Sequence, residues 1–253
     1  MTSPGDAWWR DFFAHHHSLD LSQFPDALET DREVAGLIRM LALGPEQTVA
    51  DVCCGYGRHL ARLAVQGYHM VGVDISPMML ELARGELDRL GARATLLRAD
   101  ARSLPLADGS VEVVLNLFNS FGYCEQEADN QQILKEAARV LRPGGQFFLD
   151  TRTRQCQILF APRHQPMGTA DGQALVMSCH YDSPRHRLVS EWRRTRTGPV
   201  VHQASIRLYG LDELDEMMTV AGLQKVAVYG DYSAIPYGGY QRQLLYLARK
   251  PRQ

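Results

Sequence analysis

Residues 49–59 read Val-Ala-Asp-Val-Cys-Cys-Gly-Tyr-Gly-Arg-His, VADVCCGYGRH: an apolar run that ends on an acid and then passes through two glycines. Two readings compete for it. Cys53, Cys54 and His59 suggest a metal or redox centre, whereas Gly55 and Gly57 suggest a loop whose backbone approaches a ligand closely. A metal centre built on paired cysteines needs further ligands at set spacing, commonly a second pair. The five cysteines stand at 53, 54, 124, 156 and 179 and contain no C-x-x-C pair. The doubled cysteine is therefore read as two small buried thiols, with no metal expected. An odd set of unpaired cysteines also points to reduced thiols in the cytoplasm rather than a disulfide framework.

Outward from this stretch the chain keeps a regular rhythm. Thr48–Val52 predicts a strand, residues 56–66 a helix and His69–Val73 a second strand. Pro77–Leu90 predicts a helix with proline in its first turn, followed by a strand over residues 94–98. Residues 111–115 predict the fourth strand and residues 129–141 a helix with Ile133, Leu134, Ala137 and Leu141 on one face. Arg142-Pro143-Gly144-Gly145 then turns into a strand over residues 146–150. Strands that are near-continuous apolar runs, alternating with helices, indicate an α/β fold: a doubly wound parallel sheet covered on both faces. The rhythm breaks after Asp150. Residues 174–181, 187–195 and 200–209 predict three strands of a small antiparallel β insertion at about residues 171–209, with Leu175, Met177, Cys179 and Tyr181 on one face. A helix from Leu211 to Ala221 and two closing strands over residues 223–229 and 241–248 complete the pattern.

Composition narrows the function classes. The chain has 253 residues, a formal net charge of −2 and no apolar run long enough to span a bilayer. Neither nucleic acid nor an anionic membrane has an electrostatic foothold. The N-terminus is aromatic and charged, without the apolar core of a signal peptide. Trp8, Trp9, Phe12 and Phe13 predict a short helix over residues 8–17, and residues 1–25 are read as a helical lid ahead of a main domain over residues 26–253. The same aromatics would also suit a core plug, and both readings stand at this point.

In an open parallel sheet the ligand lies beyond the carboxyl ends of the strands. Three acids close three successive predicted strands: Asp51, Asp74 in MVGVD and Asp100 in LLRAD. Asp51 would repel a phosphate, and a dinucleotide loop would place a third glycine where Leu60 stands. The three acids suit a nucleoside with a positive, polar tail. Asp74 is placed to accept ribose hydroxyls and Asp100 an exocyclic amine.

These motifs resemble the class I S-adenosylmethionine-dependent methyltransferases. VADVCCGYGRH resembles the first motif of that family, with Cys53 in place of its usual first glycine. VGVDISPMML resembles the second, LRADARSLPLADGSVEVVLNLF the third and fourth, and VLRPGGQFFLD the fifth. WWRDFF, NLFNSFGY and YGDYSAIPYGGY are similar to the bacterial branch acting on small molecules, which includes N-methyltransferases of amino-sugar and lincosamide antibiotics. The resemblance implies a seven-stranded Rossmann-like sheet, S-adenosylmethionine as cofactor and S-adenosylhomocysteine as product. It implies that Asp51, Cys53, Gly55 and Gly57 surround the methionine end, Asp74 and Ile75 the ribose and adenine, and Asp100 and Ala101 the adenine amine. Asn116 and Phe118 would line the sulfonium. Cys53 is tolerable there if the turn needs no positive φ.

Substrate contacts are expected from Trp9, Phe13, Asn119, Tyr123, Arg207, Tyr209 and Tyr237. The polar face holding Arg207 and Tyr209 could equally face solvent. His16, His17, Tyr123, His180 and Tyr237 are the candidate bases, and none stands out, which tilts the reading toward a nitrogen nucleophile on a small-molecule acceptor. The His15–His17 run reads otherwise as a solvated helix end. The rivals are a nucleic-acid or protein methyltransferase and a non-catalytic adenosyl-binding module. Asn116-Leu117-Phe118-Asn119 lacks the D/N-P-P-Y/F pattern of enzymes acting on planar nitrogens, and the aromatic terminus argues against an inert module.

Overall fold

The run Thr48–Val52 (β1) buries every residue after its first, which is what a strand flanked by neighbours and covered on both faces requires. The computed structural model describes residues 8–14, 25–160, 165–168, 174–239 and 241–252. After α1 (Trp8–Ala14) and α2 (Ala27–Leu41), β1 leads through α3 (Arg58–Val65) to β2 (His69–Asp74), and α4 (Pro77–Leu90) leads to β3 (Thr95–Arg98). Then follow β4 (Val111–Asn116), α5 (Glu127–Val140), β5 (Leu141–Thr151) and α6 (Arg154–Phe160). A second sheet holds β6 (Gln165–Gly168), β7 (Ala174–Asp182), β8 (Arg187–Arg193) and β9 (Val200–Arg207). The chain closes with α7 (Leu211–Val220), β10 (Gln224–Tyr229) and β11 (Leu244–Arg249).

The main sheet has seven strands in the order β10-β11-β5-β4-β1-β2-β3. β1 runs parallel to both β2 and β4, and β11 runs antiparallel to both β5 and β10. The chain winds one way from β1 to β3 and the other way from β4, so the switch point lies beyond the ends of β1 and β4. The expected doubly wound sheet with an antiparallel closing pair is therefore what forms. Side chains pack its two faces into separate cores. One joins Leu134 and Val140 of α5 to Phe147 and Tyr246; the other joins Val34 and Leu37 of α2 to Leu60, Leu115 and Phe148. Asp26 caps α2 by accepting from the Glu29 N–H, and Ser76 caps α4 ahead of Pro77.

The insertion departs from expectation in one respect. It is a four-stranded sheet, because Gln165–Gly168 pairs antiparallel with β7. Proline and glycine in that segment weaken any strand pattern in the sequence. The helix Arg154–Phe160 also went unpredicted. Arg187 ties this sheet to the main body. It is 3% exposed, and its guanidinium donates to Ser205 Oγ (2.6 Å), Ser205 O (2.8 Å), Cys124 O (3.1 Å) and Tyr123 O (3.3 Å). α1 bridges the second sheet and the start of α4: Trp8 Nε1 donates to Ser205 O (3.1 Å), and Ser76 Oγ donates to Phe13 O (2.6 Å). No helix among the described residues is long and apolar enough to cross a membrane.

Because Arg187→Ala leaves several buried carbonyls without a donor, it should destabilise the fold by about 3 kcal/mol. In a chain of this size that lowers the midpoint of thermal unfolding by about 6–12 °C. An unchanged midpoint would show that the second sheet is held by other means.

Candidate functional site

The loop after β1 is folded tightly. The N–H groups of Cys53 (2.8 Å) and Cys54 (3.1 Å) both donate to Val73 O, which draws the loop over the end of β2. Cys53 has φ 63°, Gly55 φ 54° and Gly57 φ 79°. The turn therefore does need positive φ at Cys53, contrary to the condition under which cysteine was expected there, and the residue is held in a left-handed conformation costing about 1–3 kcal/mol. At Gly57 a Cβ would stand 2.9 Å from Ala83 Cβ, so only glycine lets α3 start this close to α4.

This loop forms one wall of a cavity of about 810 Å³ at the switch point. Asp51, Cys53, Gly55, Asp74, Ile75, Asp100, Ala101 and Phe118 line it, together with Trp9, Phe13, Asn119 and Tyr123. Most of the residues named from the sequence thus come together around one cavity. Gly57 and Asn116 support it from outside the lining: the Asn116 amide donates to Val52 O (3.1 Å) and ties the end of β4 to that of β1. Arg207, Tyr209 and Tyr237 are not brought to the cavity. Ala204 and Ile206 present the opposite face of β9 to it, whereas Arg207 pairs with Glu127 (2.5 Å) and Glu213 (2.7 Å) and Tyr209 donates to Glu127 (2.8 Å). Tyr237 donates to Thr153 Oγ1 (3.1 Å). Of the base candidates, His16 and His17 lie outside the described residues, and His180 is exposed and absent from the lining.

The acids differ in how they are held. Asp74 accepts from the N–H of Gly55 (2.9 Å) on one oxygen and of Ser76 (2.9 Å) on the other. Burial nonetheless raises its carboxyl above the ordinary value against the pull of those bonds. Asp100 is engaged by Arg102 through its backbone N–H (3.0 Å), Nε (3.0 Å) and Nη2 (2.6 Å). Burial works to raise Asp100, but the hydrogen bonds from Arg102 outweigh it and hold the carboxyl low. A carboxylate has about four acceptor sites, so Asp100 keeps little capacity for a ligand. Asp51 stands apart. It is 2% exposed, and among the described residues no hydrogen-bond donor faces its carboxylate. Burial, with Asp74 alongside, pushes it up to about 7.

Three features of the site went unread in the sequence. Asp150 closes β5 as a fourth strand-ending acid, and that position was its visible signal. It lines the cavity, accepts from Tyr232 OH (2.8 Å) and the Phe118 N–H (3.2 Å), and burial pushes it up to about 6. Its own carbonyl accepts from the Asn119 N–H (2.9 Å), so Asp150 secures two consecutive residues with positive φ, Phe118 at 55° and Asn119 at 60°. Arg58 lays its guanidinium 4.7 Å from the centre of the Phe118 ring and pairs with the buried Glu33 of α2. His59 Nε2 lies 2.8 Å from the same Glu33 oxygen; burial drives its ring down to about 4, so the neutral ring donates there and is not free to act as a base.

The comparisons with known proteins agree with this geometry. Residues 49–145 match the model of a methyltransferase domain. An uncharacterized methyltransferase of Synechocystis sp. is 36% identical over 123 residues, which span 48% of this chain and 55% of that protein. The match thus covers about half the length of that relative. A cypemycin N-terminal methyltransferase of Streptomyces sp. is 26% identical over 79% of this chain and 81% of its own length. Among solved structures, an S-adenosylmethionine-bound amino pentose methyltransferase from Micromonospora echinaspora superposes with a TM-score of 0.65 at 20% identity, over 93% of this chain and all of that one. At that identity the likeness is one of fold.

The state of Asp51 has a consequence for stability. An unfolded aspartate titrates near its ordinary value of 3.8, whereas the folded group titrates at about 7. Between those values the native protein holds a proton that the unfolded chain gives up. Stability from this group is complete below pH 4 and is lost as pH rises through 7. Ligand-free Asp51→Asn should therefore be more stable than wild type at pH 8, by about 1–3 kcal/mol, and nearly equal to it at pH 4. Thermal unfolding at the two pH values checks this, and a less stable variant at pH 8 would contradict it.

Proposed function

We propose that this chain, which carries a methyltransferase domain over residues 49–145, transfers a methyl group from S-adenosylmethionine to a nitrogen of a small-molecule acceptor. The observation that carries the reading is the Asp51 carboxylate: buried, without a donor among the described residues, and facing the cavity beside Asp74. Such a group calls for a cation, since an isolated buried charge otherwise stays protonated. An amino acid ammonium next to a nucleoside meets that need, and a pyrophosphate does not.

On this reading Asp51 takes the methionine ammonium and Asp74 the ribose hydroxyls. The backbone N–H bonds already on Asp74 fix its oxygens in place for that role. Ile75 and Ala101 flank the adenine, with Trp9 close by. Phe118, gripped by Arg58 and Asp150, presents a ring to the sulfonium, a contact worth about 0.5–2 kcal/mol. Bound S-adenosylmethionine would supply an electrophilic methyl to the acceptor's lone pair, the C–S electron pair returning to sulfur and the proton of the product amine passing to water.

What the protein adds is alignment and dryness, and alignment alone can lower such a barrier by about 7–11 kcal/mol. The Tyr123 phenol is raised by burial, with Cys53 and Asp74 nearby, so it remains protonated and serves as a donor rather than a base. With His59 committed to Glu33 as well, the described residues favour an acceptor that attacks as a neutral amine. α1, bonded to Ser205 and Ser76 across the cavity, acts as the lid. The free thiols at Cys53, Cys54, Cys124 and Cys179 suit a reducing cytoplasm.

Titration calorimetry with two ligands separates these roles. S-Adenosylmethionine carries the ammonium; 5′-methylthioadenosine shares its nucleoside but lacks the amino acid. Asp51→Asn should weaken the first by about 1–3 kcal/mol and leave the second unchanged, whereas Asp74→Ala should weaken both by about that amount. Binding of NAD in place of S-adenosylmethionine by the wild-type protein would overturn the reading.

A further inference from the structure

The cofactor end accounts for only part of the cavity. The remainder runs between α1 and the inner face of the second sheet, and its chemistry bears on the acceptor. Strand pairing sets that face out in rows: Met177 lies beside Trp192 and Trp192 beside His202; Cys179 lies beside Ser190 and Ser190 beside Ala204. Leu188 beside Ile206 forms the next row. Opposite this face Phe12 approaches Trp192, with ring centres 5.2 Å apart, and Phe13 stacks on Tyr123 at 6.0 Å and 9°. The chamber is a slot walled by rings and aliphatic side chains.

The polar groups that line this face of the sheet are already engaged, while Asn119, Arg152, Gln157 and Gln243 line the cavity from other elements. Cys179 Sγ and Ser190 Oγ lie 3.2 Å apart and satisfy one another. Trp8 Nε1 is bonded to Ser205 O. The charges of this region, Arg187, Arg207, Glu127 and Glu213, are paired on the far face of the sheet. At the cofactor end of the slot stands the Tyr123 phenol. Arg152 lines the cavity from an exposed position at its mouth.

From this arrangement, and resting on the methyltransferase reading above, we propose that the acceptor carries a flat apolar ring system next to its nucleophile and is not a polyhydroxylated sugar. A ring fits along the wall that Trp192, Leu188 and Ile206 form, with its nucleophile toward Tyr123. A sugar set against that face would give up the water on each hydroxyl without gaining a partner from it, which costs about fivefold or more in affinity per group left unpaired.

The test compares phenethylamine with glucosamine, two primary amines that differ in carrying a ring or a set of hydroxyls. Binding of each to the complex of the full chain with S-adenosylhomocysteine is measured by calorimetry, alongside methyl transfer from labelled S-adenosylmethionine. Phenethylamine should bind at least tenfold more tightly than glucosamine. Trp192→Ala should cut that affinity at least fivefold while the dissociation constant for S-adenosylhomocysteine stays unchanged. Equal or tighter binding of glucosamine, no measurable binding of phenethylamine, or a Trp192→Ala variant indistinguishable from wild type each overturns the proposal. If the wild-type chain fails to bind S-adenosylhomocysteine at all, the methyltransferase reading falls first, and the result is distinct from those three.

Discussion

A buried carboxylate near the end of β1, to which the described residues give no hydrogen bond, is the constraint around which this molecule is arranged. β1 lies between β2 and β4, where the winding reverses, so its terminal side chain points into the crevice that the fold leaves open. The loop that follows is pulled over β2 by two N–H bonds to Val73 O, which seals Asp51 from bulk water. Desolvation then makes the charged form costly until a cation arrives. If Asp51 receives a cation as proposed, binding energy and specificity for that ligand follow from the same burial that weakens the empty protein.

The opposite wall of the crevice is built by a different device. Phe118 and Asn119 hold two consecutive left-handed conformations, which side chains other than glycine rarely adopt. That strain is sustained by Asp150, which accepts from the Phe118 N–H with its carboxylate and from the Asn119 N–H with its carbonyl, while Tyr232 steadies the carboxylate. Arg58, the first residue of α3, reaches from Glu33 to the Phe118 ring. On the proposed reading, the strain at this loop aims one ring at the place where the sulfonium sits.

Much of this was legible in the sequence because it is local. Apolar runs broken by glycine and acid gave the seven main strands, and the ends of the first four named residues that line or support the cavity. What failed to show was long-range or weakly patterned. Gln165–Gly168 carries no strand pattern because proline and glycine interrupt it, although as a short first strand it needs only one neighbour. The alternation in β9 was seen, but not which face turns inward; Arg207 was set toward the substrate when Glu127 and Glu213, distant in sequence, hold it on the other side. Asp100 was expected to be open to ligand, yet Arg102 two residues later takes most of its acceptor sites. The Glu33 link to Arg58 and His59 joins two helices and has no local signature.

The central claim, that Asp51 ionises to receive a cation, is tested most directly by counting protons. Calorimetric titration of S-adenosylmethionine at pH 6, repeated in two buffers of different ionisation enthalpy, gives the number of protons exchanged on binding. With Asp51 titrating at about 7 in the empty protein, binding should release close to one proton, and the Asp51→Asn variant should release almost none. Binding without proton release in the wild-type protein, or with proton uptake, would contradict the account.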